Sequence, residues 1–126
     1  MTTAIILFAH GARDPEWAAP MRRVQGAIRQ LAPDLQVELA FLEFMAPDLP
    51  GCAAAAIAAG ARRVVILPMF IAQGGHLKRE VPVMLESLRS TWPEVEFLLD
   101  KAIGEEESVV QAMAEAALRK AGAALA

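Results

Sequence analysis

Cysteine is nearly missing from this chain: Cys52 is the only one, so no disulfide can close within it and a thiolate zinc site is excluded. Histidine is almost as scarce, with His10 and His76 alone. No apolar run approaches the length of a membrane span. The opening stretch, MTTAIILFAHGARD, has no basic n-region and too short an apolar run for a secretory signal, so a cytoplasmic location is expected, with no membrane partner. A basic excess is lacking too. Twelve Lys and Arg against fifteen Asp and Glu give a net charge of −3, which argues against nucleic acid as a partner. GxGxxG, P-loop and GxSxG patterns are absent, which weakens nucleotide-binding and serine-hydrolase readings; HExxH and CxxC zinc motifs are absent as well.

What is present is apolar and alternating. Hydrophobic residues make up 56% of 126 residues, enough to bury a core, and the length fits one domain over 1–126. Cys52, inside GCAAAAIAAGA, reads as a small buried thiol.

Four strand-like runs alternate with four helical stretches. Ala4–Ala9 (AIILFA) is continuously apolar, as in a strand buried on both faces. Trp17–Leu31 follows with Met21, Val24, Ile28 and Leu31 on one helical stripe, stopped by Pro33 and Asp34. Gln36–Phe44 is the second strand. A helix over Leu49–Ala59 has Asp48 as N-cap, Pro50 in its first turn and Gly60 as its stop. Arg63–Phe70 is the third strand, its ladder ending near Pro68. IAQGGHLKREVP then reads as a loop, with helix over Val81–Thr91, a fourth strand over Glu94–Asp100 and a last helix over Glu105–Ala121. This βαβαβαβα order predicts an α/β domain with one open parallel four-stranded sheet and helices on both faces. Strand order 2-1-3-4 puts the topological switch between the first and third strands, where such sheets bind ligands.

Both histidines fall at that crevice. His10 directly follows the first strand in His10-Gly11-Ala12-Arg13-Asp14, and His76 lies after the third in Gln73-Gly74-Gly75-His76-Leu77-Lys78-Arg79-Glu80. A histidine at a strand end also serves simply by bonding a loop carbonyl; two at neighbouring strand ends point instead to a shared site. Gly74 and Gly75 allow close backbone approach to a ligand, and a helix starting near Glu80 offers free N–H groups to an anion. Met69, Phe70 and Ile71 suit either a flat apolar ligand or the core. Glu43 is either a site carboxylate or an outward-facing residue at the sheet edge. Two imidazoles with carboxylates and no thiolate describe a metal or anion site, borderline for Co²⁺, Ni²⁺, Fe²⁺ or Zn²⁺.

The segments LFAHGARDP, LEFMAPDLP and LPMFIAQGGHLKREVP together resemble the small CbiX-type sirohydrochlorin chelatases, over nearly the whole chain up to about Gly104. The resemblance implies a chelatase-like half-lobe, one lobe of the longer two-lobed chelatases, paired as a homodimer. It implies insertion of a divalent metal (Co²⁺, Ni²⁺ or Fe²⁺, as substrate, with no tightly bound cofactor) into a sirohydrochlorin-like tetrapyrrole of cobalamin or siroheme synthesis. Carried over by motif, His10 and His76 are the metal-binding, catalytic pair and Glu43 the acidic residue after the second strand. Glu80 is a further carboxylate for the metal or a proton. Arg13, Lys78 and Arg79, with the Gly74–Gly75 turn, would meet the substrate carboxylates, and Met69 and Phe70 the macrocycle face. Ala12 stands where the family commonly has serine, and Glu80 where aspartate is frequent.

Two other functions fit parts of the pattern. A tetrapyrrole or metal carrier would bind without turnover. A histidine phosphatase is disfavoured, because HGAR places its arginine after the histidine rather than before it and a second catalytic basic cluster is missing.

Overall fold

The computed structural model describes residues 2–123, with the main chain alone at His76. Strands β1 (Thr2–Ala9), β2 (Gln36–Phe41), β3 (Ala61–Pro68) and β4 (Glu96–Leu99) form one sheet in the order β2-β1-β3-β4, every pairing parallel. This is the predicted order. β1 lies in the middle because its apolar run is acceptable on both faces: Ile6, Leu7, Phe8 and Ala9 are all buried.

Four α-helices connect or follow the strands: α1 (Ala19–Leu31), α2 (Leu49–Ala58), α3 (Gly75–Thr91) and α4 (Glu107–Lys120). A 3-10 turn over Pro15–Ala18 precedes α1, opened by Asp14, whose carboxylate accepts from the Glu16 N–H at 3.0 Å. Asp48 caps α2 in the same way, accepting from the Gly51 N–H at 2.9 Å, and Gly60 at φ +109° ends the following turn. The main core lies between the sheet and the α2–α3 layer, joining Ile6, Phe8, Val64 and Ile66 to Cys52, Ile57, Val81 and Leu85. A smaller cluster of Ala9, Ala18 and Phe41 sits on the opposite face beneath α1. No polar or charged residue is buried among the described residues.

Four expectations change. The second and fourth strands are shorter than the sequence suggested, so Glu43 lies past the end of β2. Leu31 is 86% exposed and does not share the half-buried stripe of Met21, Val24 and Ile28 on α1. A 3-10 turn, Ile103–Glu105, takes the start assigned to the last helix. The largest change is α3, which begins at Gly75 rather than near Glu80, so that Pro82 lies inside the helix and His76, Lys78 and Arg79 ride on its first turns. Leu77 and Met84 pack against the main core, and Val81, Leu85 and Leu88 belong to it. That packing outweighs the one backbone bond Pro82 removes.

Candidate functional site

The end of β1 is held by its neighbours through the backbone. The Phe8 carbonyl accepts from the Met69 N–H at 2.8 Å, Ala9 from Leu42 at 2.9 Å and His10 from Glu43 at 3.1 Å. The pairing therefore continues past β2 and sets Glu43 beside His10. Gly11 permits this approach: it takes φ +94°, and a Cβ there would lie 1.9 Å from the Glu43 carbonyl oxygen.

The side chains complete the contact. His10 Nε2 and Glu43 Oε1 are 3.0 Å apart, each side chain half exposed. An ionised carboxylate can only accept, so the neutral imidazole in this pair carries its proton on Nε2 and leaves the Nδ1 lone pair free for a cation or proton. The Phe70 ring stands edge-on to His10 (centroids 6.5 Å apart) and to Phe8 (6.3 Å), limiting how the imidazole swings. His10 and Glu43 open onto a cavity of about 620 Å³, closed from the α3 side by Gly74, Leu77, Glu80 and Met84. His76 sits in the first turn of α3 between Gly75 and Leu77. Its side chain lies outside what is described, and among the described residues no three His, Cys, Asp or Glu side chains cluster as a metal site.

The remaining candidates separate. Met69 packs on the Ala9–Ala18–Phe41 cluster, across the sheet from Phe70, and so takes the core reading. Ile71 is 75% exposed. Lys78 and Arg79 are exposed and do not line the cavity, but both belong to the first turns of α3, whose N-cap is Gly74 with no capping side chain and whose first turn has no acidic residue. Two cations beside a positive helix end are electrostatically unfavourable unless an anion joins them. Arg13 lies over the Phe44 ring, 4.9 Å from its centroid. Phe44 was not anticipated as a site residue. It adopts φ +67° and is 56% exposed, a costly conformation and a costly exposure for an aromatic side chain. Its only sequence signal is its place next to Glu43.

A second groove, of about 410 Å³, runs between α2 and α3 past Leu49, Val83 and Trp92. No titratable side chain lines it among the described residues.

A crevice at the reversal of strand order, holding an imidazole paired to a carboxylate, defines an open α/β protein with its site at the strand ends. The chain belongs to the CbiX family, whose model matches residues 4–120. A sirohydrochlorin cobaltochelatase of Methanococcus aeolicus is 34% identical over 82 residues, which is 65% of this chain and 57% of that protein. The chain thus spans little more than half of that relative's length. Among solved structures, a CbiX protein of Marinobacter aquaeolei VT8 superposes with a TM-score of 0.83 at 25% identity, over 95% of this chain and 98% of that one. The sirohydrochlorin chelatase SirB of Bacillus subtilis subspecies spizizenii, solved with cobalt, shares the fold (TM-score 0.77, 23% identity) over 91% of this chain and 49% of its own.

Proposed function

We propose that this protein inserts a divalent metal, Co²⁺ first and Ni²⁺ or Fe²⁺ as alternatives, into sirohydrochlorin. The observation that carries the reading is the His10–Glu43 pair, 3.0 Å apart on the rim of the switch-point cavity, in a chain of the CbiX family.

Insertion requires the metal to shed its ligands while two pyrrole N–H protons leave the macrocycle. Glu43 holds His10 in the tautomer whose Nδ1 binds the cation or takes a proton, and carries the charge when the imidazole becomes protonated. His76, in the first turn of α3, is the second imidazole. Glu80 on the cavity wall is the route by which a proton reaches solvent. Few protein ligands suit a metal that must be released. Phe70, edge-on to His10, and the exposed Phe44 ring offer apolar surface to the macrocycle. Arg13, Lys78, Arg79 and the uncapped N-terminus of α3 meet its carboxylates.

The working unit is a homodimer. What supports this is the likeness of the chain's fold to one part of the longer SirB chain, 49% of which it covers.

The test is anaerobic incubation of the protein with excess sirohydrochlorin and Co²⁺, following the absorption change against a protein-free blank. Product exceeding the protein concentration supports catalysis. Rates equal to the blank with Co²⁺, Ni²⁺ and Fe²⁺ overturn the reading, and stoichiometric binding without turnover replaces it with a carrier.

A further inference from the structure

Glu43 alone does not fix the His10 ring. It is a half-exposed side chain with rotamers of its own, so it can follow the imidazole as the ring turns. The firmer restraint is the Phe70 ring, edge-on to His10 and to Phe8. Phe8 is 1% exposed in the main core and backs that ring. The backbone beneath Phe70 is tied on two sides. The Met69 N–H donates to the Phe8 carbonyl at 2.8 Å, and the Phe70 carbonyl accepts from the Gly104 N–H at 2.9 Å. Gly104 lies in the 3-10 turn after β4, Ile103–Glu105. That turn is itself anchored, because Ala102 is buried and its carbonyl accepts from the Glu105 N–H at 2.9 Å. The approach is too close for any other residue. A Cβ on Gly104 would overlap the carbonyl oxygen and Cα of Ile71. Both are backbone atoms, so no side-chain rotation relieves the contact and the Phe70–Ile71 peptide would have to move.

We propose that Gly104 is a positioning residue for His10, acting through Phe70. The turn after β4 fixes the peptide that carries the ring, and the ring's edge fixes the plane of the imidazole. The described lining of the His10 cavity includes no residue of β4 or of this turn, so the end of the fourth strand serves the site only through that relay. The path is short and made of packed backbone and rings, the kind of contact that transmits a displacement instead of absorbing it. A small swing of the imidazole redirects Nδ1, and misplacement of a reacting group by about 1 Å is costly to catalysis. The proposal rests on the function proposed above for its turnover readout alone.

Gly104→Ala, Phe70→Leu and the two together test it beside the unmodified chain. Each is read by calorimetric titration with Co²⁺ alone, by the NMR signal of the His10 ring (assigned by its persistence in His76→Ala), and by kcat and KM for Co²⁺ insertion. Gly104→Ala should bind Co²⁺ ~10-fold more weakly and lose ~10-fold in kcat, with KM for the macrocycle little changed and the His10 signal shifted. Phe70→Leu should weaken Co²⁺ binding by a similar factor. The double variant should lose no more than either single one, because both changes act through one ring. A folded Gly104→Ala protein with Co²⁺ affinity and His10 signal unchanged overturns the proposal, as do losses that multiply in the double variant. If Gly104→Ala fails to fold, Ala102→Gly loosens the same turn without a clash, and an unchanged affinity and signal there overturn it equally. An unmodified chain that binds Co²⁺ but inserts none overturns the chelatase reading, and the binding and NMR comparisons then decide this one.

Discussion

Gly11 carries two constraints, a left-handed backbone and a carbonyl where a side chain would start. Gly11→Ala must therefore displace the Glu43 segment. Urea unfolding should show a loss of about 1–3 kcal/mol, and chelation should fall with it, because Glu43 leaves His10. Glu43→Gln tests the pair without that disruption. It keeps the shape but holds no charge opposite a protonated imidazole, and kcat should drop ~10–100-fold while the fold stays intact by circular dichroism. His10 was legible because a histidine directly after an apolar run falls at a strand end in this topology. Its partner was less so. Periodicity leaves Glu43 free to face outward, and what selects the inward position is the continued pairing of Leu42 and Glu43 with Ala9 and His10, which no local pattern encodes.

At the scale of elements, α3 is the instructive departure. Gly74, Gly75 and Pro82 read locally as a loop followed by a helix start, and each is indeed a poor residue for a helix interior. The helix instead starts at Gly75 and runs through Pro82, because Leu77, Val81, Met84 and Leu85 recur at helical spacing on the main core. The consequence for function is that Lys78 and Arg79 stand in the first turns of a helix rather than in a mobile loop. Replacing both with alanine should raise KM for the macrocycle ~10-fold with little change in kcat. The difference should shrink as salt screens the charges. In α2, burial pushes the Cys52 thiol up from 9.0 to about 12, with the negative charge of Glu38 adding to the shift. The unfolded chain then binds fewer protons than the folded one above pH 9. Stability should fall as pH rises from about 9 to 12, by roughly 1.4 kcal/mol per pH unit. Denaturant titrations of Cys52→Ala beside the unmodified chain should show that slope removed.

At the scale of the whole molecule, the strand order, and with it the position of the crevice that holds the candidate site, was readable because it follows from the alternation of strands and helices and the handedness of crossovers. The position of α4 was not. Its sequence is an ordinary amphipathic helix, and nothing in its periodicity says which surface its apolar stripe is to meet. No helix among the described residues is long and apolar enough to cross a membrane.

In the proposed function, His10, set at the end of β1 by Gly11 and Glu43, handles the metal during its insertion into sirohydrochlorin. The initial rate of Co²⁺ insertion, measured anaerobically for the unmodified protein and for His10→Ala in one series, tests it most directly. A rate well above the blank is expected for the first and a loss of at least ~100-fold for the second. An unmodified protein no faster than the blank, or a His10→Ala protein with full activity, would contradict it.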